Sequence, residues 1–475
     1  MTQPPLKIAV VGHTNTGKTS LMRTLLRDES FGEVSDRPAT TRHVEGATLL
    51  VGGRPLVELY DTPGLEDSIG LLDHLESMRG DGHRRADQYR QIEAFLTSPE
   101  AHGRFAQEAK ALRQVLASDV ALYVIDARDR VLGKHRDELE ILARCGRPVV
   151  PLLNFVASSD AQTATWREHL SRINLHAVAE FDTVVLDEES ERRLLEKMRT
   201  LLDHQQQTLD ALIGERRQQR ARLVHASAAL VADMLIDAAA AVMAAPATGG
   251  ADAQHAIESL KQRIRDREQN CVEQLLALHR FTASGVEGHD LPLTQGRWGV
   301  DLFSPAAMKQ FGIRTGGAAA AGAMVGLTVD AMVGGMSLGA ATAVGAAIGA
   351  LLGTGQTHGK RIIDRMRGYT ELRCDDATLK VLLSRQLSLV NALLHRGHAS
   401  VLPIQLPDHS KSSRSPAARL PAEVDEARIH PHWSRLAQTP NQPGIAGAAR
   451  QAALERMSGS IEAMLRQLPA TAISR

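Results

Sequence analysis

A short stretch near the start of the chain, Gly12–Thr19, has the composition and order of a phosphate-binding loop. It reads G-H-T-N-T-G-K-T and connects an apolar strand pattern at 7–11 to a helical pattern at 20–26. Glycines let the backbone curl so that successive N–H groups point at phosphate oxygens, and the start of the helix adds the positive end of its dipole. Lys18 would neutralise the phosphates, and the Thr19 hydroxyl would bind Mg²⁺. The residues predicted to contact phosphate here are Gly12, Asn15, Thr16, Gly17, Lys18, Thr19 and Ser20.

Two further segments are spaced to meet the same phosphates. The apolar strand pattern at 56–61 ends in Asp61, and Gly64 follows shortly after it. An aspartate at the end of a strand holds Mg²⁺ through water, and the Gly64 N–H group would meet the terminal phosphate. Thr40 and Thr41 lie between this segment and the loop, where a threonine hydroxyl would complete the Mg²⁺ shell. At these two threonines an ordinary polar loop is the alternative.

These loops need a sheet that brings them to one edge. Over residues 1–200, short apolar runs alternate with helical patterns, which is typical of a mainly parallel sheet with helices on both faces. Gly52 and Gly53 predict a hairpin turn between two of the runs. We therefore predict an α/β P-loop domain, followed by an all-α half in which strands cease after about residue 190. The predicted strands are 7–11, 47–51, 56–60, 120–126, 148–154 and 183–186.

The composition limits the classes of function. The chain has 475 residues with 55 basic and 55 acidic side chains, so its formal net charge is zero. Zero net charge and 3% aromatic residues disfavour a nucleic-acid partner, because they leave no global positive field and few platforms for base stacking. Cys145, Cys271 and Cys374 are far apart, which indicates a reducing compartment. No apolar signal precedes the first strand, so we expect a cytoplasmic protein.

Residues 7 to about 155 resemble the GTPases of the translation-factor class, in particular its Era-like branch. The resemblance rests on the loop described above, on T-T-R at 40–42 and on D-T-P-G at 61–64. It implies binding of GTP and GDP with Mg²⁺ and hydrolysis of GTP, with Lys18 and Thr41 as catalytic groups. It also implies that Thr41, rather than its neighbour, joins the metal ligands.

Two other positions bear on the rate of hydrolysis. Asn15 matches an asparagine that helps to coordinate K⁺ near the phosphates in many Era-like GTPases; a simple loop-capping side chain is the alternative. Leu65 stands where Ras-like GTPases have a catalytic glutamine, and a leucine cannot orient water by hydrogen bonding. We therefore expect that intrinsic hydrolysis is slow, or that it depends on the cation, on dimerisation or on a partner protein.

The base-recognition motif of this class, N-K-x-D, is incomplete. Asn154 is present, but Phe155 and Ala157 replace the lysine and the aspartate. The N1–H and N2–H₂ groups of guanine require a carboxylate acceptor, which Ala157 does not offer; Asp160 is a candidate substitute from a shifted loop. Guanine selectivity therefore follows from the resemblance alone, and use of ATP stays open as an alternative.

The rest of the chain predicts extensions and helices. The segment 65–119 is longer than is usual in such GTPases and extends the second switch region of the first domain. We divide the remainder into a helical hairpin at 201–300, a Gly/Ala-rich helical hairpin with an amphipathic helix at 301–402, and a Pro-rich linker with a final helix at 403–475. The layout resembles a family of bacterial GTPase-domain proteins whose C-terminal half is a domain of unknown function.

The segment 315–354 is rich in glycine and alanine, and Asp330 is its one charged residue. Glycines recur at every fourth position, and 334–335 divide the segment into two arms, 315–333 and 336–354. Each arm as a helix is long enough to cross a bilayer, and basic residues flank both outer ends. Since alanine and glycine are barely hydrophobic, a tightly packed hairpin inside a soluble protein is an equal alternative.

Together these features predict a GTP-hydrolysing molecular switch with a helical C-terminal half. We expect it in the cytoplasm, either free or at the inner membrane, with a second copy or another protein as its partner. Two alternatives remain: a nucleotide-gated membrane-associated or scaffolding protein with little hydrolysis, and a P-loop protein that uses ATP.

Overall fold

The chain divides into two compact units. The first contains Met1–Ala221, Leu394–Leu402 and Ile473–Arg475, and the second contains Arg222–Leu393 and Pro403–Ala472. The computed structural model describes residues 4–27, 44–78, 88–183, 188–247, 250–281, 293–294, 297–311, 313, 327–329, 369–396, 419–436 and 447–468.

A six-stranded sheet with strand order β2-β3-β1-β4-β5-β6 forms the centre of the first unit. β2 pairs antiparallel with β3, and all other neighbouring strands in this sheet pair in parallel. The strands are β1 (Leu6–Val11), β2 (Glu45–Val51), β3 (Arg54–Asp61), β4 (Val120–Asp126), β5 (Val149–Asn154) and β6 (Ala179–Glu180).

Helices accompany this sheet along the chain, and three of them lie between β3 and β4. The helices of this unit are α1 (Lys18–Leu26), α2 (Ser68–Ser77), α3 (Gln88–Leu96), α4 (Ala106–Leu116), α5 (Gly133–Arg144), α6 (Thr163–Arg172) and α7 (Glu188–Leu201). α8 (Gln206–Ala240) begins in this unit.

The core of the first unit has two apolar layers, one on each face of the sheet. In β4, which is buried along its whole length, Tyr123 and Ile125 belong to one layer, and Leu122 and Val124 belong to the other. Because both faces are covered, the strand is apolar at nearly every position and does not alternate with polar residues. The predicted α/β fold class is confirmed.

The two edges of the sheet, the β2–β3 hairpin and β6, can be compared with the sequence-based prediction. Gly52 and Gly53 have φ values of 58° and 79° in the predicted hairpin turn, where glycine adopts left-handed conformations without strain. The predicted sixth strand was wrong in position: β6 lies at 179–180, and Thr183 is outside it. The backbone N–H of Thr183 donates to the side chain of Asn154 instead, and 184–186 lie outside the described residues.

The second unit is mainly helical, as predicted, and also contains β-structure. Its three-stranded antiparallel sheet has the order β10-β11-β7, and β8 and β9 form a short antiparallel pair. The strands are β7 (Val242–Pro246), β8 (Leu293–Thr294), β9 (Arg297–Trp298), β10 (Leu327–Val329) and β11 (Tyr369–Cys374). The helices are the end of α8, α9 (Ala251–Leu278), α10 (Pro305–Gln310), α11 (Asp376–Leu394), α12 (Glu423–Ile429) and α13 (Ala448–Gln467).

The prediction that strands cease after about residue 190 was therefore wrong. β7 lies within the predicted helical hairpin 201–300, because pairing with β11 overrides the helix propensity of its alanines. β10 replaces part of the predicted helical arm 315–333, and Leu327 is buried there. The remainder of the Gly/Ala-rich segment 315–354, Asp330 included, lies outside the described residues.

An ion network joins distant parts of the second unit. Asp237 is fully buried and Asp233 lies one helical turn before it; Arg267, Arg435 and Arg450 each contact both carboxylates. Burial raises the pKa of Asp233, but hydrogen bonds from Arg450 and Arg435 outweigh it and hold that pKa below its usual value. The network connects α8 to α9 and to the C-terminal part of the chain.

Among the described residues, one helical stretch has the length and apolar character needed to cross a bilayer. It is Asp203–Ala240, whose most apolar window has a mean hydropathy of 1.5. Because 61% of that window is buried within the protein, the stretch is equally typical of a core helix.

Candidate functional site

The loop between β1 and α1 has the backbone shape that its glycines predict. Gly12 and Gly17 have φ values of 145° and 89°, and Asn15 between them has 64°. A Cβ atom on Gly12 would lie 2.4 Å from the carbonyl oxygen of Val124, and one on Gly17 would lie 2.4 Å from Nδ2 of Asn154. Both positions therefore require glycine for reasons of space as well as conformation.

Lys18 places its ammonium group inside this loop. Its Nζ donates to the carbonyl oxygens of Gly12 at 3.2 Å and His13 at 2.8 Å. Burial lowers the pKa of Lys18, and the nearby carboxylates of Asp61 and Glu138 oppose that shift. The loop thus holds a buried cation where an anionic group is electrostatically favoured.

Thr19 and Asp61 come together at the end of the sheet, as their positions after β1 and in β3 require. The Thr19 hydroxyl donates to Oδ2 of Asp61 at 2.5 Å. The other oxygen, Oδ1, is buried and has no hydrogen-bond partner among the described residues. Burial raises the pKa of Asp61, and the bond from Thr19 and the charge of Lys18 oppose that shift. A hydroxyl beside an unpartnered carboxylate oxygen fits a hard divalent cation such as Mg²⁺.

The segment after Asp61 lies against the loop. A Cβ atom on Gly64 would be 2.6 Å from the hydroxyl oxygen of Thr14, so only a glycine backbone fits this close to it. The N–H group of Leu65 donates to the carbonyl oxygen of Gly12 at 3.4 Å. The Leu65 side chain is fully buried in the apolar layer on that face of the sheet, and it therefore does not face the loop.

A polar network that the sequence analysis missed links the loop to this segment. Nδ1 of His13 lies 3.1 Å from the carbonyl oxygen of Leu65 and 2.9 Å from Oε1 of Glu138. Tyr123 donates to the other Glu138 oxygen at 2.6 Å, and burial raises the pKa of this tyrosine well above its usual value. His13 is a variable position of the loop motif and Glu138 lies in α5, so no local pattern signals their contact.

Asn154 holds the loop from the side of β5. Its Nδ2 donates to the carbonyl oxygen of Thr16 at 3.0 Å, and its Oδ1 accepts from the N–H groups of Phe155 and Thr183 at 2.9 and 3.1 Å. Thr16 in turn donates its hydroxyl to the carbonyl oxygen of His13 at 3.0 Å. Asn154 is fully buried, so in this structure it positions three loops.

Phe155 and Arg128 form a stacked pair beside the loop. Phe155 has a φ of 58°, and its ring edge lies 3.1 Å from where a Gly17 Cβ would be. The Arg128 guanidinium lies over this ring, 4.2 Å from its centroid, and Asp126 holds it through two carboxylate oxygens. The residue that replaces the lysine of the base-recognition motif thus lies with its ring against the phosphate-binding loop.

The carboxylate nearest Ala157 comes from an unexpected loop. Oδ2 of Asp182, just after β6, accepts a hydrogen bond from the backbone N–H of Ala157 at 3.0 Å. Asp182 is buried, whereas Asp160 is exposed and accepts from Ser159 at 3.4 Å. Asp182 was missed because the apolar residues around it suggested a strand; its position beside β5 depends on sheet order, which the sequence does not reveal.

The other predicted site residues have varied outcomes. Ser20 lies in the first turn of α1, and Asn15 is exposed at the loop. Thr40, Thr41 and Arg42 lie outside the described residues, so the role of Thr41 stays a prediction.

Two family models match consecutive parts of the chain. Residues 7–155 match the family model described as 50S ribosome-binding GTPase, and residues 167–459 match the one described as Domain of unknown function (DUF3482). The chain is similar to the tRNA modification GTPase MnmE of Synechococcus elongatus, at 32% identity over 137 residues, covering 29% of this chain and 28% of that protein. Against the same-named protein of Rhodospirillum rubrum it is 35% identical over 124 residues, covering 26% and 25%.

Solved structures of Era are among those to which the chain is similar. A variant of Aquifex aeolicus Era bound to GDP and AlF4⁻ has a TM-score of 0.27 and 17% identity, covering 37% of this chain and 50% of that one. Era in complex with MgGDPNP and nucleotides of 16S ribosomal RNA has a TM-score of 0.27 and 15% identity, covering 38% and 52%. The chain thus spans between a quarter and about half of the length of these relatives.

Proposed function

The chain belongs to the family described as Domain of unknown function (DUF3482), with a GTPase domain preceding it, and on this basis we propose that it is a GTP-binding switch that hydrolyses GTP to GDP and phosphate. One observation carries the proposal. The Thr19 hydroxyl and the unpartnered oxygen of Asp61 meet beside the loop that encloses the Lys18 ammonium group. A lysine cation and two oxygen ligands beside a loop of this shape can bind a nucleoside triphosphate together with its metal ion.

Mg²⁺ is the metal that this site fits. Thr19 would bind it directly and Asp61 would hold it through water, with Thr41 as the predicted third contributor. When bound, Mg²⁺ neutralises charge on the β- and γ-phosphate oxygens. The protein residues supply position: Lys18 offers a buried positive charge, and the Gly64 backbone lies close enough to the loop to reach a terminal phosphate.

Guanine is the base that we propose for the site. The match to a GTPase family supports it, and so does the carboxylate of Asp182 beside the position where Ala157 lacks one. ATP is the second candidate, because Phe155 and Ala157 replace the usual lysine and aspartate. Asn154 is already bonded to three loops, which leaves base discrimination to its neighbours.

We propose slow intrinsic hydrolysis that requires help. The Leu65 side chain is buried in the core, so it neither orients nor reaches an attacking water. K⁺ held by Asn15, a second copy of the chain or a protein partner would supply the missing assistance. Zero net charge continues to disfavour nucleic acid as that partner.

For location we propose the cytoplasm. Leu327–Val329 pairs as a strand with β11, so it cannot belong to the continuous membrane helix that insertion of the first arm requires. The same strand also interrupts the helical arm of the packed-hairpin alternative. Flotation of the purified protein with liposomes, in GTP and in GDP, tests this. Recovery in the lipid fraction in either state would favour the membrane alternative.

The function itself is tested by nucleotide binding to the full chain. Calorimetric titrations with GTP, GDP, ATP and ADP, each with and without Mg²⁺, should give Mg²⁺-dependent binding of the guanine nucleotides and binding of the adenine nucleotides at least about tenfold weaker. Phosphate release from GTP should then be measurable and slow. Equal affinity for both bases would favour the ATP alternative, and no binding at all would contradict the proposed site.

A further inference from the structure

A polar cavity lies in the first unit, apart from the phosphate-binding loop. Its volume is about 410 Å³, within the usual range for small-molecule pockets. It is lined by the end of α1, the beginning of α7 and the middle of α8. The lining residues are Arg27, Glu189, Glu191, Arg192, Leu195, Ile213, Arg216, Arg217 and Arg220. Among the described residues that line it, arginines outnumber glutamates by five to two.

The most buried charges in this cavity are not balanced. The buried carboxylate of Glu191 is shared by two guanidinium groups, at 3.5 Å from Nη2 of Arg27 and 2.9 Å from Nε of Arg216. Nε of Arg27 is buried and has no hydrogen-bond partner among the described residues. Burial lowers the pKa of Arg27, and the charges of Arg216 and Arg220 add to that shift although Glu191 opposes it. One carboxylate thus serves two partly buried cations.

The rim of the cavity carries charges of both signs. Arg192 pairs with Glu189 and with Glu196, so these three side chains together carry one negative charge. Arg217 is exposed and forms no ion pair within the part of the chain that the structure describes. Burying unbalanced charge is costly, and an anion that enters the cavity would relieve that cost.

We propose that this cavity binds a small phosphorylated molecule that carries at least two negative charges on neighbouring phosphate oxygens. A guanidinium group binds phosphate through two parallel N–H groups in one plane. A cluster of arginines can bind several phosphate oxygens in this way at once. Leu195 and Ile213 provide an apolar wall for an organic group attached to the phosphates. The cavity is too small for a folded protein segment of any length but suits a molecule of nucleotide size.

The site is distinct from the phosphate-binding loop, and one helix connects the two. The loop is at the N-terminal end of α1, and Arg27 caps its C-terminal end in a left-handed conformation with φ 55°. The nine residues of α1 separate the ends by about 14 Å. Arg216 donates to the carbonyl oxygen of Leu25 in the last turn, so a ligand that redirects Arg216 acts on the helix that carries Lys18.

The test uses full-length Lys18→Ala protein, in which the phosphate-binding loop should not compete for the probe. Calorimetric titration with inorganic tripolyphosphate should show one binding event. Arg217→Glu, at an exposed position where folding is not at stake, should weaken it about tenfold or more. Arg90→Glu, also an exposed arginine on a helix of the first unit, should leave it unchanged. With GDP occupying the phosphate-binding loop, protein that keeps Lys18 should bind tripolyphosphate in the same way, and Arg217→Glu should again weaken that binding. This result would show that tripolyphosphate binds outside the proposed GTP site.

A second arm identifies the source of the phosphate. Vesicles containing phosphatidic acid present the same phosphate chemistry on a lipid, and co-sedimentation of the same proteins shows whether a headgroup reaches the cavity. If Arg217→Glu weakens the binding of tripolyphosphate, the natural ligand is a soluble phosphorylated molecule. If Arg217→Glu weakens only the binding to vesicles, the ligand is a lipid headgroup. If Arg217→Glu changes binding in neither arm, or if Arg90→Glu lowers it equally, the cavity is not a phosphate site.

Discussion

The phosphate side and the base side of the proposed nucleotide site are built in different ways. On the phosphate side, one continuous loop sets the geometry through the backbone conformations of Gly12 and Gly17. On the base side, Arg128, Asn154 and Asp182 come from the ends of three strands and act through side chains. A continuous loop tolerates few changes in sequence, whereas a surface assembled from separate loops can keep a chemical group while the residue that supplies it changes.

The largest expected effect is on the phosphate side. Lys18→Ala removes the buried cation, and we expect affinity for GDP to fall about 100-fold or more, because charge-assisted bonds to the phosphates are lost. Fluorescence titration with a labelled GDP measures this, and circular dichroism checks the fold. Arg90→Ala, a change of equal charge at an exposed position of α3, should bind normally. If Lys18→Ala bound GDP normally, the loop would not be the phosphate-binding side of the site.

The base side should respond by changing its preference for one base over another. Asp182→Asn replaces a carboxylate acceptor with an amide, and we expect the preference for GDP over ADP to fall about tenfold or more. Xanthosine diphosphate, whose base offers an acceptor where guanine has a donor, should gain affinity. Competition titrations with the three nucleotides measure both effects.

Asp160→Asn is the matched control for that experiment, since Asp160 is the carboxylate that sequence alone suggested. It is exposed, so its change should leave the preference unaltered. A loss of preference in Asp160→Asn with none in Asp182→Asn would return the role to the sequence-based candidate.

A smaller effect is expected where the phosphate loop meets the segment after Asp61. Glu138→Gln weakens the acceptor that holds His13, which also contacts the carbonyl oxygen of Leu65. We expect GTP hydrolysis to slow about three- to tenfold with GDP affinity nearly unchanged, since the loop keeps its phosphate contacts. Glu140→Gln, on the same helix and paired with Arg144, is the control. Equal loss in both variants would indicate a general effect on α5.

The smallest effect concerns the monovalent cation. Hydrolysis should be about two- to fivefold faster in K⁺ than in Na⁺ at equal ionic strength, because an ion near the phosphates adds positive charge in the transition state. Asn15→Ala should abolish the difference between the salts. Identical rates of the wild-type protein in the two salts would assign Asn15 a structural role in the loop.

The contrast between a continuous loop and a surface assembled from separate segments also explains which parts of the site could be predicted from the sequence. The loop, Asp61 and Gly64 were predictable because each depends on local conformation at the end of a strong apolar strand. Asp182 and the contact between His13 and Glu138 were not, because each joins segments far apart in the chain. Such contacts depend on which strands are neighbours, and spacing along the chain does not encode that order.

The second unit shows the same limit in its secondary structure. The helical hairpin predicted at 201–300 contains α9, and the final helix predicted within 403–475 corresponds to α13; helices are predictable because their hydrogen bonds are local. β7, β10 and β11 were missed because a strand is stabilised by its partners, and these partners are far apart in sequence. The alanines of β7 favour a helix when taken alone.

The ion network around Asp237 has a consequence for how the protein is made. Two of its three arginines, Arg435 and Arg450, lie about two hundred residues beyond the carboxylates that they neutralise. Until both have been synthesised, α8 carries a buried aspartate with part of its counter-charge missing, and leaving such a charge uncompensated costs about 3–5 kcal/mol. The second unit should therefore complete its folding only after Arg450 has been synthesised, whereas the six-stranded sheet can form on the ribosome much earlier.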